Sequence, residues 1–310
     1  MMWRTPKYTG PERRQRPRWR PRPVRVMVTL LVLAVLGYGT AVLYLVSRET
    51  RLVFQAGRTL SDGRPEFHFE QIDIPRADGA RQFAWVMPEP TASAEAPWVL
   101  FLHGNATTIA AKVNIAHYRE LRKLGLNVLA PEYQGFGGLD GIPTEAALAA
   151  DARAAYDYLR TARKVPASRL VIYGWSLGSA VAVTLASEVE AGGLILEGAP
   201  ASLVNIGQRQ YPFFPIRLLM RNPFESISRI DRVRAPMLFL HSPDDAVIPI
   251  SEGRRLFDAA RGDKTFVEVR GGHVDAATID TQHFYGAIRT FLVTHHLVDG
   301  ESGVHNEGTM

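Results

Sequence analysis

Arg169-Leu-Val-Ile-Tyr173, running into Gly174-Trp175-Ser176-Leu177-Gly178, is the stretch on which the reading of this chain turns. It is an apolar run that meets G-x-S-x-G, after which Ala180-Val-Ala-Val-Thr-Leu-Ala186 continues at helical density. That pattern predicts a strand turning sharply into a helix, with a serine held at the turn. Side chains at either flanking glycine would collide with a neighbouring strand or the incoming helix. Ser176 would then sit at a helix N-terminus, where free N–H groups and the helix dipole favour developing negative charge.

Outward from this turn the chain alternates regularly. Two short strands, Phe67–Ile74 and Arg81–Met87, flank the Ala77-Asp78-Gly79 turn. Buried strands follow at Trp98–Leu102, Asn127–Pro131, Leu170–Tyr173, Gly193–Glu197, Pro236–Leu240 and Thr265–Arg270. Helices are predicted between them at about 110–124, 144–163 (with Thr144 as N-cap) and 251–260, and a last one at 281–294. Two opening antiparallel strands followed by β-α alternation specify an α/β fold with a mostly parallel sheet and helices on both faces. In such sheets the chemistry gathers at the carboxyl ends of the strands.

Candidate catalytic residues fall at those ends. A serine hydroxyl is a poor nucleophile near neutral pH and needs a base. Histidine titrates in the right range to take the proton and return it to the leaving group. A carboxylate must orient the imidazole and offset its transient charge. His273, in Gly271-Gly272-His273 after a strand, is the candidate base. In the loop His241-Ser242-Pro243-Asp244-Asp245-Ala246-Val247-Ile248-Pro249, spacing favours Asp245 as the acid and leaves Asp244 to form the turn. The remaining histidines, His241 among them, receive no role. The oxyanion hole is assigned to the backbone N–H groups of Leu177, directly after the serine, and Asn105, after His103-Gly104. The order Ser, Asp, His is that of the α/β-hydrolase fold.

Composition narrows the alternatives. The first 25 residues hold nine Lys/Arg and a single Glu, whereas the whole chain nets only +5, so the remainder is net negative. The basicity is one arm, and no nucleic-acid partner is expected. There is no cysteine, which excludes disulfides, a thiol nucleophile and Cys-ligated metal. No metal-ligand spacing appears. Gly135-Phe-Gly-Gly138 lacks the full dinucleotide fingerprint, so no cofactor is expected. From Val26 to Val46 the chain is uncharged, and as a helix it would span roughly 31 Å, close to a bilayer's hydrocarbon thickness. Arginines crowd the side before it, which predicts a signal anchor with the N-terminus cytoplasmic and the domain on the extracytoplasmic side. A cleaved signal with a core at Leu30–Leu36 is the rival, but the apolar run continues to Val46 and the basic arm is long. The expected organisation is a disordered basic arm (1–25), a transmembrane anchor (26–46), a linker (47–65), one domain (66–298) with a cap insert at about 201–232, and a flexible tail (299–310).

The motifs resemble a known family. His103-Gly-Asn-Ala106, Tyr133-Gln-Gly-Phe-Gly137, Pro143-Thr-Glu145, Gly174-Trp-Ser-Leu-Gly178, the Asp245-x-Val-Ile-Pro249 loop and Gly272-His273 together are similar to α/β-hydrolase-domain serine hydrolases, most of all the membrane-anchored group. The resemblance covers about residues 66–294. It implies chemistry like that of lysophospholipases, monoacylglycerol lipases and protein depalmitoylases, with a distant similarity to serine aminopeptidases. Relatives often carry Arg at the position of Gln134, and Ser at Gly138 or Thr144.

The expected activity is therefore cleavage of carboxylic esters or thioesters of lipid or acyl substrates through an acyl-enzyme. A peptidase or amidase of the same fold, and a catalytically silent interaction module, are the alternatives. The cap insert carries Tyr211, Phe213, Phe214, Leu218, Leu219 and Met220, interleaved with Arg209, Arg217 and Arg221. These residues either form an acyl-chain pocket or pack the cap onto the sheet.

Overall fold

The computed structural model describes residues 10, 23–56, 63–91, 93 and 95–300. Most of the basic arm, residues 57–62 of the expected linker and the tail from residue 301 lie outside the described residues. The chain divides into two units at residues 45 and 46. The first unit holds most of helix α1 (Pro23–Val53), whose length and composition suffice to cross a membrane. Its apolar side chains from Val24 to Leu36 stand largely exposed.

The helix does not end at Val46. It runs on to Val53, so residues 47–53, expected as linker, are helical and belong to the second unit. Two buried side chains account for this. Glu49 is 6% exposed and finds a full set of hydrogen-bond donors, described below. Phe54, fully buried, meets the ring of Phe224 edge-on with centroids 6.0 Å apart.

The second unit is built on β1 (Glu70–Pro75), β2 (Arg81–Met87), β3 (Trp98–Leu102), β4 (Asn127–Pro131), β5 (Leu170–Trp175), β6 (Gly193–Glu197), β7 (Met237–His241) and β8 (Lys264–Glu268). They form one sheet in the order β1-β2-β4-β3-β5-β6-β7-β8. β1, β2 and β4 pair antiparallel, and the rest of the sheet is parallel. The first strand begins at Glu70, three residues later than the alternation at Phe67 suggests. Glu70 already pairs with Val86, and two residues further back the partner would be Pro88, which has no N–H to donate.

The helices after α1 are α2 (Lys112–Lys123), α3 (Glu145–Thr161), α4 (Leu177–Ala186), α5 (Leu203–Gln210), α6 (Ile216–Leu219), α7 (Ile250–Ala259), α8 (Ala276–Ile279) and α9 (Thr281–Thr294). Thr144 caps α3 by accepting a hydrogen bond from the Ala147 N–H at 3.1 Å. Strand β5 shows how the two cores divide. Leu170 and Ile172 join the α3 and α4 side with Leu148 and Val181. Val171 and Tyr173 join the α2 and α9 side with Tyr118 and Phe284. This period-two partition of a strand buried on both faces is what a parallel sheet between two helical layers requires. The insert between β6 and β7 forms a cap from α5, α6 and two short 3-10 turns.

Candidate active site

The turn after β5 has the predicted shape. Ser176 stands at φ +55 and ψ −119, a left-handed backbone that a side-chain-bearing residue adopts only at a cost of about 1–3 kcal/mol. Its neighbours explain why it holds. A Cβ on Gly174 would run into the carbonyl oxygen of Gly178, and one on Gly178 into that of Leu102 on β3. The Ser176 N–H donates to the carbonyl oxygen of Glu197 at the end of β6 (2.8 Å), which pins the turn to the next strand.

The structure brings the three predicted side chains into one hydrogen-bonded line. Ser176 Oγ lies 2.8 Å from His273 Nε2, and His273 Nδ1 lies 2.6 Å from Asp245 Oδ2. The other carboxylate oxygen of Asp245 accepts the N–H groups of Val247 (2.8 Å) and Ile248 (2.7 Å). Burial alone would push the Asp245 pKa up. The bond and charge of His273, with these two N–H groups, outweigh it and hold the carboxyl below the ordinary range. Asp244 is exposed, and its N–H closes the turn on Ser242 Oγ (3.1 Å). His241, beside this loop, donates from Nε2 to the Ile248 carbonyl (2.9 Å), and so fixes the loop that carries the acid. Burial lowers the His241 pKa against the opposing pull of the Ile248 carbonyl and the Asp245 charge.

Asn105 and Leu177 line the same cavity as Ser176, which measures about 990 Å³. Its walls come from the last turns of α1, the end of β3, the elbow, the acid loop and the cap. Of the apolar cap residues for which a pocket or packing onto the sheet was open, Tyr211 and Met220 line the cavity, joined by Leu203 and Ile206. Phe213 and Leu218 are instead 86% and 84% exposed. Among the described residues, no three His, Asp or Glu side chains are grouped to hold a metal ion.

Several buried polar residues that support this site escaped the sequence reading. His103, wholly buried, donates from Nδ1 to the Gly104 carbonyl (2.8 Å) and pairs through Nε2 with Glu132 Oε1 (2.9 Å). Glu132 also accepts the N–H groups of Tyr133 (3.0 Å) and Ile109 (3.1 Å), so it ties the loop after β4 to the loop after β3. An acid at the end of the uncharged strand Asn127–Pro131 was the available signal. Arg76, after β1, reaches both Gln134 Oε1 (2.9 Å) and the buried Asp151 (2.8 Å). Burial pushes Asp151 up to about 6 despite that ion pair and the Gln134 N–H.

Comparison with known proteins agrees with this fold. Residues 99–302 match the model of the alpha/beta hydrolase family. The chain belongs to that family. An uncharacterized protein of Mycobacterium tuberculosis, Rv2307c, is 34% identical over 277 residues, covering 86% of this chain and 95% of its own. The lysophosphatidylserine lipase ABHD12 of Danio rerio is 30% identical over 188 residues, covering 54% of this chain and 48% of its own. Among solved structures, the Pyrococcus furiosus esterase Pf2001 superposes with a TM-score of 0.65 at 19% identity, covering 77% of this chain and 98% of the esterase. At that identity the superposition speaks for the fold of this hydrolase and not for its substrate.

Proposed function

We propose that this hydrolase cleaves carboxylic esters or thioesters of acyl substrates through a serine acyl-enzyme. The reading is carried by the unbroken line from Ser176 Oγ through His273 to Asp245, with both contacts at hydrogen-bond length. Ser176 attacks the acyl carbon while its proton passes to His273 Nε2. Asp245 holds Nδ1–H and offsets the imidazolium charge. The backbone N–H groups of Leu177 and Asn105 receive the oxyanion. His273 then returns its proton to the leaving oxygen or sulfur, and the acyl group stays on Ser176. A water, deprotonated by the same nitrogen, releases the acid and restores the serine.

An acyl substrate is supported by the apolar wall that Leu203, Ile206 and Met220 give the cavity. The lipase and esterase named above act on esters, which favours that class over amides. The helix Pro23–Val53 is read as a signal anchor, with the arginine-rich arm cytoplasmic and the hydrolase domain on the other side. The test is labelling by a fluorophosphonate probe. Wild type is expected to be labelled and Ser176→Ala is not. Equal labelling of the two proteins would end the assignment.

A further inference from the structure

The last turns of α1 do more than follow a membrane span. Glu49 receives four hydrogen bonds from the cap: from the Arg221 N–H (2.7 Å), Arg221 Nε (2.8 Å), the Asn222 N–H (2.9 Å) and Asn222 Nδ2 (3.1 Å). Four residues on, the end of the helix meets the loop after β3. The Val53 carbonyl accepts Asn105 Nδ2 at 3.0 Å, and the Phe54 carbonyl accepts the Ala106 N–H at 3.1 Å. These carbonyls are among those a helix C-terminus leaves without an intrahelical donor.

The two bonds are made by the residue whose N–H is the second oxyanion donor in the proposed mechanism, through its side chain, and by the N–H of the residue after it. Ala106 has φ +52, a left-handed conformation that a non-glycine residue keeps only when its surroundings over-determine it. Here the helix end supplies part of that restraint. Without it, less would hold the Asn105 N–H toward the oxygen that becomes the oxyanion.

We propose that residues 46–54 are a positioning element of the active site, with Glu49 as the positioning residue. Glu49 clamps the helix end to the cap at Arg221-Asn222, and the clamped end holds Asn105-Ala106 in the orientation that an oxyanion needs. The segment that continues the membrane helix is thereby part of the catalytic apparatus. This inference rests on the serine-hydrolase reading. It adds that catalysis depends on a carboxylate that never touches substrate.

The experiment uses the full chain in detergent and p-nitrophenyl acetate, whose acyl group is too short to probe the cap. Glu49→Ala is expected to lower kcat about tenfold or more while KM moves less than about twofold, the pattern of a misplaced transition-state donor. Glu49→Gln, which keeps an acceptor oxygen for the Arg221 and Asn222 N–H groups, should recover most of the loss. Fluorophosphonate labelling should slow in the same proportion, because the phosphonyl oxygen occupies the same hole. A purely structural role would lower the melting temperature and leave kcat intact below it, and that result overturns the proposal. So does a rise in KM with kcat unchanged. If Glu49→Ala does not fold, Asn105→Ala removes only the bond to Val53 and keeps the backbone N–H, and unchanged kcat there is equally fatal. Wild type labelled at Ser176, with variants labelled at the same rate, removes this proposal alone. Labelling that Ser176→Ala does not abolish removes the hydrolase reading as well.

Discussion

Two histidine–carboxylate pairs lie close together in this hydrolase, and their outer nitrogens separate them. His103 and Glu132 approach to 2.9 Å, and His273 and Asp245 to 2.6 Å. Both acids accept two backbone N–H groups besides the imidazole. The second nitrogen of His103 faces the Gly104 carbonyl, which can only accept, so its proton has nowhere to go. The second nitrogen of His273 faces the Ser176 hydroxyl, which can give a proton and take one back. His103 is also walled in by Tyr133 and Phe136, with ring centroids 4.3 and 5.6 Å away. The same pair of side chains is a strut in one place and, in the proposed mechanism, a proton relay in the other, and the neighbour on the far nitrogen decides which.

Substitution should separate the pairs sharply. In the proposed mechanism His273→Leu removes the base, and kcat on a p-nitrophenyl ester is expected to fall by about 10⁴-fold or more. His103→Leu should act mainly on stability. It strands Glu132 as a buried acid without its partner, at a cost of about 3 kcal/mol, and activity per folded molecule should fall far less. Equal losses of kcat in the two variants would erase the distinction between strut and relay.

The two aspartates of the acid loop sharpen the same point. Asp245→Asn keeps the shape but offers His273 Nδ1 an amide that can stabilise the wrong tautomer, and kcat should drop by about 10⁴-fold. Asp244→Asn, on an exposed turn, should leave kcat within about threefold, since surface changes of this kind rarely shift stability by more than about 0.5 kcal/mol. Steady-state kinetics on both variants decides it. A larger loss at Asp244 would reassign the acid.

What could be read from the chain, and what could not, follows the range of the interactions. Ser176 and its two glycines announce themselves because the turn's sterics are local. The strands could be read because period and apolar content are local too. Asp245 and His273 follow once each is placed in a loop after a parallel strand, since those loops share one rim. Glu132, Asp151 and Glu49 were not legible. Each is a buried acid with at least one partner far away in sequence, Glu49 and Arg221 being 172 residues apart. No periodicity encodes such a pairing, and it exists only after the sheet order has brought the loops together. Residues 47–53 were read as linker for the same reason, because the contacts that keep them helical come from the cap. Phe213 and Leu218 were expected either at a pocket or packed on the sheet, on apolarity alone, which cannot tell the inner face of a two-helix cap from its outer one.

A third pair, His117 and Glu197, tests the comparison with its smallest expected effect. Nε2 and Oε2 stand 3.7 Å apart, too far for a hydrogen bond, and both side chains are buried. Burial holds the histidine down at about 4, and burial pushes the acid up to about 8, so near neutral pH both are uncharged. The Tyr173 hydroxyl donates to Glu197 at 2.6 Å. Between the unfolded acid's pKa of about 4.5 and the folded value of about 8, unfolding releases the Glu197 proton. The unfolded state therefore binds fewer protons there, and Glu197 makes stability fall as pH rises through that window. His117 acts in the opposite direction between about 4 and 6.5, but it does so in wild type and variant alike. Glu197→Gln keeps an acceptor for Tyr173 and has no proton to lose. Denaturant titrations at pH 5 and pH 8 should show the variant losing less stability than wild type across that interval, with the advantage growing toward pH 8. If the two proteins lose the same amount, Glu197 is ionised in the folded state.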